Sequence, residues 1–379
     1  MTDESLLASL TIMKVICAPD SFKGSITASL AAKAMGRGVE SVGGRPDCCP
    51  VADGGEGTMD VLLDAKDGDR REVMTLDPLG RDIKAELGWL FEPRMAIVEM
   101  ALASGLPLLS STERNPMHTS SFGTGQLIAI AARDFDHVLL AAGGTATIDG
   151  GCGILQALGA RCLDSYGQPM DDLITGGTLT RISSIEMPLG TPTIEIAADV
   201  TVPLLGMQGA AHLFGPQKGA DDRAVEQLEA NLMHLADVLD PEGRTRLVPG
   251  GGAAGGAGFG LHAGLGASIR SGIELVLEVI QFDDRLRDAE MVLVGEGCLD
   301  EQTMLGKACG TTASRAKARN VPVIALCGRM GDGWESCLAD QGGPIDRILS
   351  LTDLYGEERA QNEPAACLQE AARTALSTT

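Results

Sequence analysis

The sequence predicts an α/β protein of two domains with parallel sheets, one domain assembled from both ends of the chain and the other inserted between them. Three observations carry this. Short apolar runs that end in acid or glycine alternate with segments of helical spacing, the pattern of β-loop-α units. That pattern occurs near both termini, so the two ends can complete one sheet. The length of 379 residues suits two domains at ~100–200 residues each. The boundaries fall near Asp77 and Asp283, giving 13–77 plus 283–379 as one domain and 78–282 as the insert, after a loose leader over 1–12.

The elements follow in order. "IMKVICAPD" is an apolar run that reads as a buried strand delivering Asp20 at its end. "TASLAAKAMGRGVESVG" has helical spacing, with Thr27 placed to cap it, because its hydroxyl can accept an N–H of the first turn. "DCCPVADGG" reads as a second strand and "TMDVLLDAK" as the next helix. "IKAELGWLFEPRMAIVEMALASGL" suggests shorter strands with a hairpin-like connection. "FDHVLLAAGG" and "PTIEIAADV" are strand-like and end in glycine or acid. Near the C-terminus, "AEMVLVGEG", "VPVIALCGRM" and "RILSLTD" read as strands, and "KACGTTASRAKARN" reads as a helix between the first two.

Composition narrows the function. The formal net charge is −22, which repels nucleic acid and anionic membranes, so neither is an expected partner. There is no apolar run of the length that spans a bilayer. The first residues carry acid where a signal peptide needs positive charge, and a cytoplasmic location is expected. The ten cysteines lack metal-finger spacing and read as reduced, packed thiols. Oligomeric state is left open, a homodimer being one option.

Acid recurs on glycine-rich backbone at the ends of these strands. "APDSFKGS" holds Asp20, Ser21 and Lys23, and "PVADGGEGTM" holds Asp53 and Glu56. "AAGGTATIDGG" holds Gly143, Gly144, Thr145 and Asp149, and "AADVTVPL" holds Asp199. "FGPQKGA" holds Lys218, "PGGGAAGGAGFG" holds Gly251, Gly252, Gly255 and Gly256, and "VGEGCLDEQT" with the following "GKA" holds Glu296, Asp300 and Lys307. In an open parallel sheet, ligands bind beyond the carboxyl ends of the strands. Glycine there lets backbone N–H groups approach phosphate, while carboxylates hold Mg²⁺ or accept a proton. Lys23, Lys218 and Lys307 offer an otherwise acidic chain the point charges an anionic ligand needs. The formal G-x-G-x-x-G at Gly250–Gly255 follows no convincing strand, and "LGKAC" lacks the first glycine and the final Ser/Thr of a P-loop. A dinucleotide enzyme and a Walker-type ATPase are therefore disfavoured.

Taken together, "APDSFKGS", "PVADGGEGT", "EMALASGL", "TSSFGTGQLI", "GGTATIDGGCGILQALGA", "FGPQKGA", "GGGAAGGAGFG", "SGIELVLE" and "GEGCLDEQT" resemble the bacterial type I glycerate kinases over nearly the whole chain. The resemblance implies a flavodoxin-like domain built from both ends, an inserted α/β domain, and Mg²⁺-assisted phosphorylation of glycerate by ATP to 2-phosphoglycerate. It points to glycerate at Asp20, Ser21, Lys23, Glu56 and Glu296, and to metal at Asp53 and Glu56. The nucleotide falls to Gly143, Gly144, Thr145, Lys218, Gly251, Gly252, Gly255, Gly256 and Lys307. Catalytic work falls to Lys23, Asp53, Asp199 and Asp300, with Asp300 favoured as base and Asp199 next. These loops are expected to converge on one cleft. Three positions depart from the family pattern: Ile148 and Val202 stand where asparagine is usual, and Cys298 where arginine is usual. They motivate an alternative, a relative that binds acid or nucleotide with impaired or regulatory function, or a kinase of a related hydroxy acid.

Overall fold

The computed structural model describes residues 12–198 and 200–377. Residues 1–11 of the expected leader and the candidate Asp199 lie outside them. The strands, in chain order, are β1 Lys14–Pro19, β2 Arg45–Cys48, β3 Asp69–Leu76, β4 Asp82–Phe91, β5 Arg94–Glu99, β6 His137–Ala141, β7 Arg161–Leu163, β8 Ser184–Glu186, β9 Thr193–Ala198, β10 Ser268–Ser271, β11 Met291–Leu299, β12 Val323–Met330 and β13 Arg347–Ser350. The chain divides into two compact units, residues 1–52 with 277–379 and residues 53–276.

The first unit holds one sheet in the order β13-β12-β11-β1-β2, with every neighbouring pair parallel. Numbered within the unit, that order is 2-1-3-4-5, the flavodoxin-like arrangement. β1 and β11 have no exposed residue, because helices cover both faces of a parallel sheet. The helices Ala28–Glu40 and Pro364–Ser377 meet closely on one side. A Cβ on Gly38 would lie 2.4 Å from the carbonyl oxygen of Gln369, so only glycine permits the approach. Thr27 caps the first of these helices by accepting from Leu30 N–H at 3.4 Å. "RILSLTD" is strand only over its first four residues; Ser350 then accepts from Asp353 N–H and starts the helix Leu351–Tyr355.

The second unit holds a sheet in the order β10-β9-β6-β5-β4-β3. Its β10, β9, β6 and β5 run parallel, and β4 and β3 pair antiparallel at the edge. β7 and β8 form a separate antiparallel pair. The core of the large sheet is built from Val, Ile, Leu and Ala, with Trp89 and Phe135 edge to face at 5.0 Å. The expected boundary at Asp77 differs from the observed one for a local reason. β3 pairs along its length with β4, and the helix Thr58–Lys66 is tied to β5 through Glu99. Among the described residues, no helix is long and apolar enough to cross a membrane.

Candidate functional site

In the first unit, β1 leads to β2 on one side and its neighbour β11 leads to β12 on the other, so connections from these adjacent strands run in opposite directions along the sheet. The crevice beyond the carboxyl ends of β1 and β11 is therefore the topological switch point of the fold, the place where such sheets bind ligands. Asp20, Ser21, Lys23, Glu296, Asp300 and Lys307 stand on the chain there. Asp20 follows β1, with its N–H donating to Gly295 carbonyl at 2.8 Å. Its Oδ1 accepts from Ser21 N–H at 2.6 Å. Glu296 lies in β11 and is only 8% exposed. Burial pushes its carboxyl above the ordinary range, while a hydrogen bond from Thr303 and the nearby Lys307 oppose that.

Thr303 joins two of these acids. Its buried hydroxyl donates to Glu296 Oε1 at 2.8 Å and accepts from Asp300 N–H at 3.1 Å. Asp300 Oδ1 in turn accepts from Gln302 N–H at 2.9 Å and from Lys307 Nζ at 3.3 Å. This reciprocal cap fixes the turn Glu301–Met304 and aims the acid and the lysine at each other. Lys23 is exposed on a tight turn closed between Phe22 and Ile26. Phe22 is buried in the core beneath it, and the turn packs against β11 at Gly297, where a Cβ would be in ordinary contact with Phe22 Cα at 3.4 Å.

In the second unit, the loop from Asp53 to Gly57 lies along the carboxyl ends of the parallel strands. Gly143 N–H donates to Gly54 carbonyl at 3.3 Å. A Cβ on Gly143 would lie 2.5 Å from Gly55 Cα, one on Gly54 would lie 2.8 Å from Ala197 carbonyl, and one on Gly272 would lie 2.0 Å from Asp53 carbonyl. The loop that carries Asp53 and Glu56 is thereby brought against Gly143, where the Gly143–Thr145 loop begins. Both acids are exposed, and Asp53 Oδ1 accepts from Gly55 N–H at 3.1 Å. Beneath the loop, the buried Glu99 accepts from the N–H groups of Met59, at 2.7 Å, and Gly57. It supplies the helix cap that Gly57 itself cannot. Burial raises its carboxyl to about 7.

Lys218 differs from the expectation of a lysine held out to a ligand. It is 3% exposed. Its ammonium donates to Thr145 Oγ1 at 2.9 Å and to Thr147 carbonyl at 2.8 Å, with the Phe214 ring 5.6 Å away. Burial lowers it to about 7, against the opposing pull of Asp149. Asp149 is wholly buried and accepts from Ser121 N–H and Oγ, Gly151 N–H and Gly153 N–H, so it shapes the backbone after β6.

The glycine run likewise takes a packing role. Gly251, Gly252, Gly255 and Gly256 are buried. The N–H groups of Gly251, Gly252 and Gly256 are bonded to Val248, Val202 and Gly252 carbonyls. A Cβ on Gly255 would lie 2.0 Å from Thr147 carbonyl and one on Gly252 would lie 2.0 Å from Pro203 carbonyl. These glycines let one backbone rest on another, and those three N–H groups are not presented to a phosphate. Ile148 is fully buried in an apolar cluster and Val202 is 5% exposed, so two of the three departures face packing. Cys298 is half-buried on β11.

Among the described residues, no three His, Cys, Asp or Glu side chains form a metal-binding group. Asp53 and Glu56 are two exposed carboxylates on one loop, which fits Mg²⁺, an ion that usually takes one or two carboxylates and fills its shell with water and substrate phosphate. Sequence reasoning singled out the acids and lysines of these loops but not Glu99 or Thr303, whose roles depend on neighbours distant in the chain.

A flavodoxin-like parallel sheet with acid and lysine at its switch point, and a second unit with an acidic glycine loop at its strand ends, make this an α/β protein of the parallel-sheet class. The chain is more narrowly placed by comparison. The family model described as the glycerate kinase family matches residues 15–379, and the chain belongs to that family. It is 40% identical over 370 residues to a glycerate kinase of Halalkalibacterium halodurans, covering 95% of this chain and 96% of that one. It is 39% identical over 356 residues to a glycerate 2-kinase of Escherichia coli K12, covering 91% and 92%. A crystal structure from Salmonella typhimurium LT2 described as a glycerate kinase 2 superposes with a TM-score of 0.82 at 36% identity, covering 97% of this chain and 98% of that one.

Proposed function

We propose that this chain transfers the γ-phosphoryl group of ATP to the 2-hydroxyl of glycerate. Membership of the family supports the reaction, and the Escherichia coli relative, a glycerate 2-kinase, supports the position. The observation that carries the assignment of parts is the contact of Gly55 with Gly143, which seats two exposed carboxylates beside a glycine-threonine loop at strand ends. In the second unit, Gly143, Gly144 and Thr145 take the nucleotide phosphates, and Asp53 and Glu56 would hold Mg²⁺. When bound, Mg²⁺ neutralises charge on the β- and γ-phosphate oxygens.

In the first unit, Lys23 matches the glycerate carboxylate, and Asp20, Ser21 and Glu296 offer partners for its hydroxyls. Asp300, half-buried and held on Oδ1 by Gln302 N–H and Lys307 Nζ, offers its carboxylate to accept the proton of the attacking hydroxyl. Lys307 holds that carboxylate in place and adds positive charge near the transferred group. Lys218 acts one step back, fixing Thr145.

The test is an ADP-release assay with glycerate, followed by phosphorus NMR of the product. A 2-phosphate and a loss of ~10²–10⁴ in kcat for Asp300→Asn are expected. Absence of glycerate-dependent ADP release overturns the reaction, and a 3-phosphate overturns the hydroxyl assignment.

A further inference from the structure

The chain carries 52 acidic residues against 30 basic ones, yet some of its arginines have no described acidic partner. Arg114 is one. Its side chain makes no hydrogen bond or ion pair among the described residues, and its Nε is buried without an acceptor there. The neighbouring acid in sequence is committed elsewhere, since Glu113 accepts from Arg81 at 2.6 Å and from Ser110 N–H at 2.9 Å. An arginine merely reaching for water would be well exposed, whereas Arg114 is half-buried.

Its backbone is fixed beside the nucleotide loop. The segment that carries it is pinned to that loop on both sides. Gly105 bridges Thr145 and Leu106 N–H donates to Gly144 carbonyl at 2.9 Å. Farther on, Thr119 Oγ1 donates to Ala146 carbonyl at 2.9 Å. In the middle, Arg114 rests on Gly219, where a Cβ would lie 2.2 Å from its carbonyl oxygen and 3.0 Å from its own Cβ. Gly219 directly follows Lys218, whose ammonium holds Thr145. Asn115 closes the next turn by accepting from Met117 N–H at 3.0 Å.

From this placement we propose that Arg114 binds the terminal phosphates of a nucleoside triphosphate seated on Gly143–Thr145. The inference deepens the proposed function and rests on its nucleotide assignment. A planar guanidinium suits two phosphate oxygens at once, which a lysine cannot match. Its lack of a carboxylate partner keeps it available in a chain whose overall field would otherwise repel the ligand.

The experiment compares wild type with Arg114→Ala, Arg114→Gln and Arg114→Lys, measuring calorimetric affinity for Mg·ATP, ADP and AMP together with the KM of ATP and of glycerate. Circular dichroism selects the variants that are folded. The expected result is a 10–100-fold weaker ATP affinity in the alanine and glutamine variants, a smaller loss in the lysine variant, and AMP affinity within twofold of wild type. Equal loss for AMP and ATP would mark a structural role and overturn the proposal, as would unchanged ATP affinity and KM. Wild type that binds ATP while the variants match it sinks this inference alone; wild type that binds no ATP sinks the nucleotide assignment as well.

Discussion

The ammonium of Lys218 donates to the hydroxyl of Thr145 at 2.9 Å inside a pocket that leaves the lysine 3% exposed. The pairing has a thermodynamic signature. Burial lowers the amine from its ordinary 10.5 to about 7, so between those values the unfolded chain holds a proton that the folded chain has lost. Stability attributable to Lys218 therefore rises from pH 7 toward 10.5 and is lost as pH falls through about 7. Lys218→Met should lack a gain on the order of 2–3 kcal/mol between pH 7 and 9. Urea unfolding of both proteins at the two pH values checks this; parallel behaviour would mean the lysine is not titrating there.

Glu99 should act on the opposite side of neutrality. Its carboxyl is raised from 4.5 to about 7 by burial, so over that range the folded protein keeps a proton the unfolded chain has released. The stability it contributes is present below 4.5 and is lost as pH rises through about 7. Relative to Glu99→Gln, wild type should weaken by on the order of 2–3 kcal/mol between pH 5 and 8. Thermal melts of the two proteins across that range measure the difference.

Two glycines with similar backbone angles should respond very differently to alanine. Gly24 has φ +75° and open space around it, and Gly255 has φ +69° with Thr147 carbonyl 2.0 Å from a would-be Cβ. Gly24→Ala should cost ~1–2 kcal/mol from the left-handed conformation alone. Gly255→Ala adds a collision between backbones and should cost more than ~3 kcal/mol. Chemical denaturation midpoints rank them, and equal costs would remove the packing explanation of the glycine run.

Thr303→Val keeps the shape of the side chain while removing the hydroxyl between Glu296 and Asp300. One buried carboxylate loses its donor and one backbone N–H its acceptor, a cost of ~1–3 kcal/mol in stability. If Asp300 is the base, kcat should also fall about tenfold, roughly the effect of 1.4 kcal/mol on a barrier. Steady-state kinetics at a temperature where the variant stays folded separates the two effects. An unchanged kcat would detach this turn from catalysis.

The parallel sheets were legible because their strands are continuous apolar runs, as "KVICAP" and "MVLVG" show, and because buried parallel strands need no alternation. Thr27 was legible as a cap from chemistry two to three residues away. β2 starts earlier and is shorter than the run "DCCPVADGG" suggests, because its exposed Arg45 and half-buried Asp47 interrupt the apolar signal before Cys48. The acidic loops were legible as strand-end features, since acid and glycine at such ends are local facts.

What stayed hidden depends on distant neighbours. Lys218 in "QKGA" looks like any loop lysine until Thr145 and Thr147 close over it. Gly255 resembles a phosphate cradle until Thr147 carbonyl is seen against it. Glu99 sits inside a recognised segment, yet its acceptors' partners, Met59 and Gly57, are some forty residues earlier in the chain. Burial, and hence the pKa of a lysine or glutamate, is a property of the packed chain and leaves no mark on its own neighbours in sequence.

Val15 pairs with Met291, and the intervening stretch contains the whole of residues 53–276, a compact unit in its own right. A ribosome therefore delivers that unit complete before β11, the second neighbour of β1 after β2, has been made. At 5–20 residues per second the wait lasts roughly 15–55 s. Throughout it, the apolar "VICAP" strand has an unpaired edge open to other nascent chains, which makes translation speed and chaperone supply determinants of the yield of this protein.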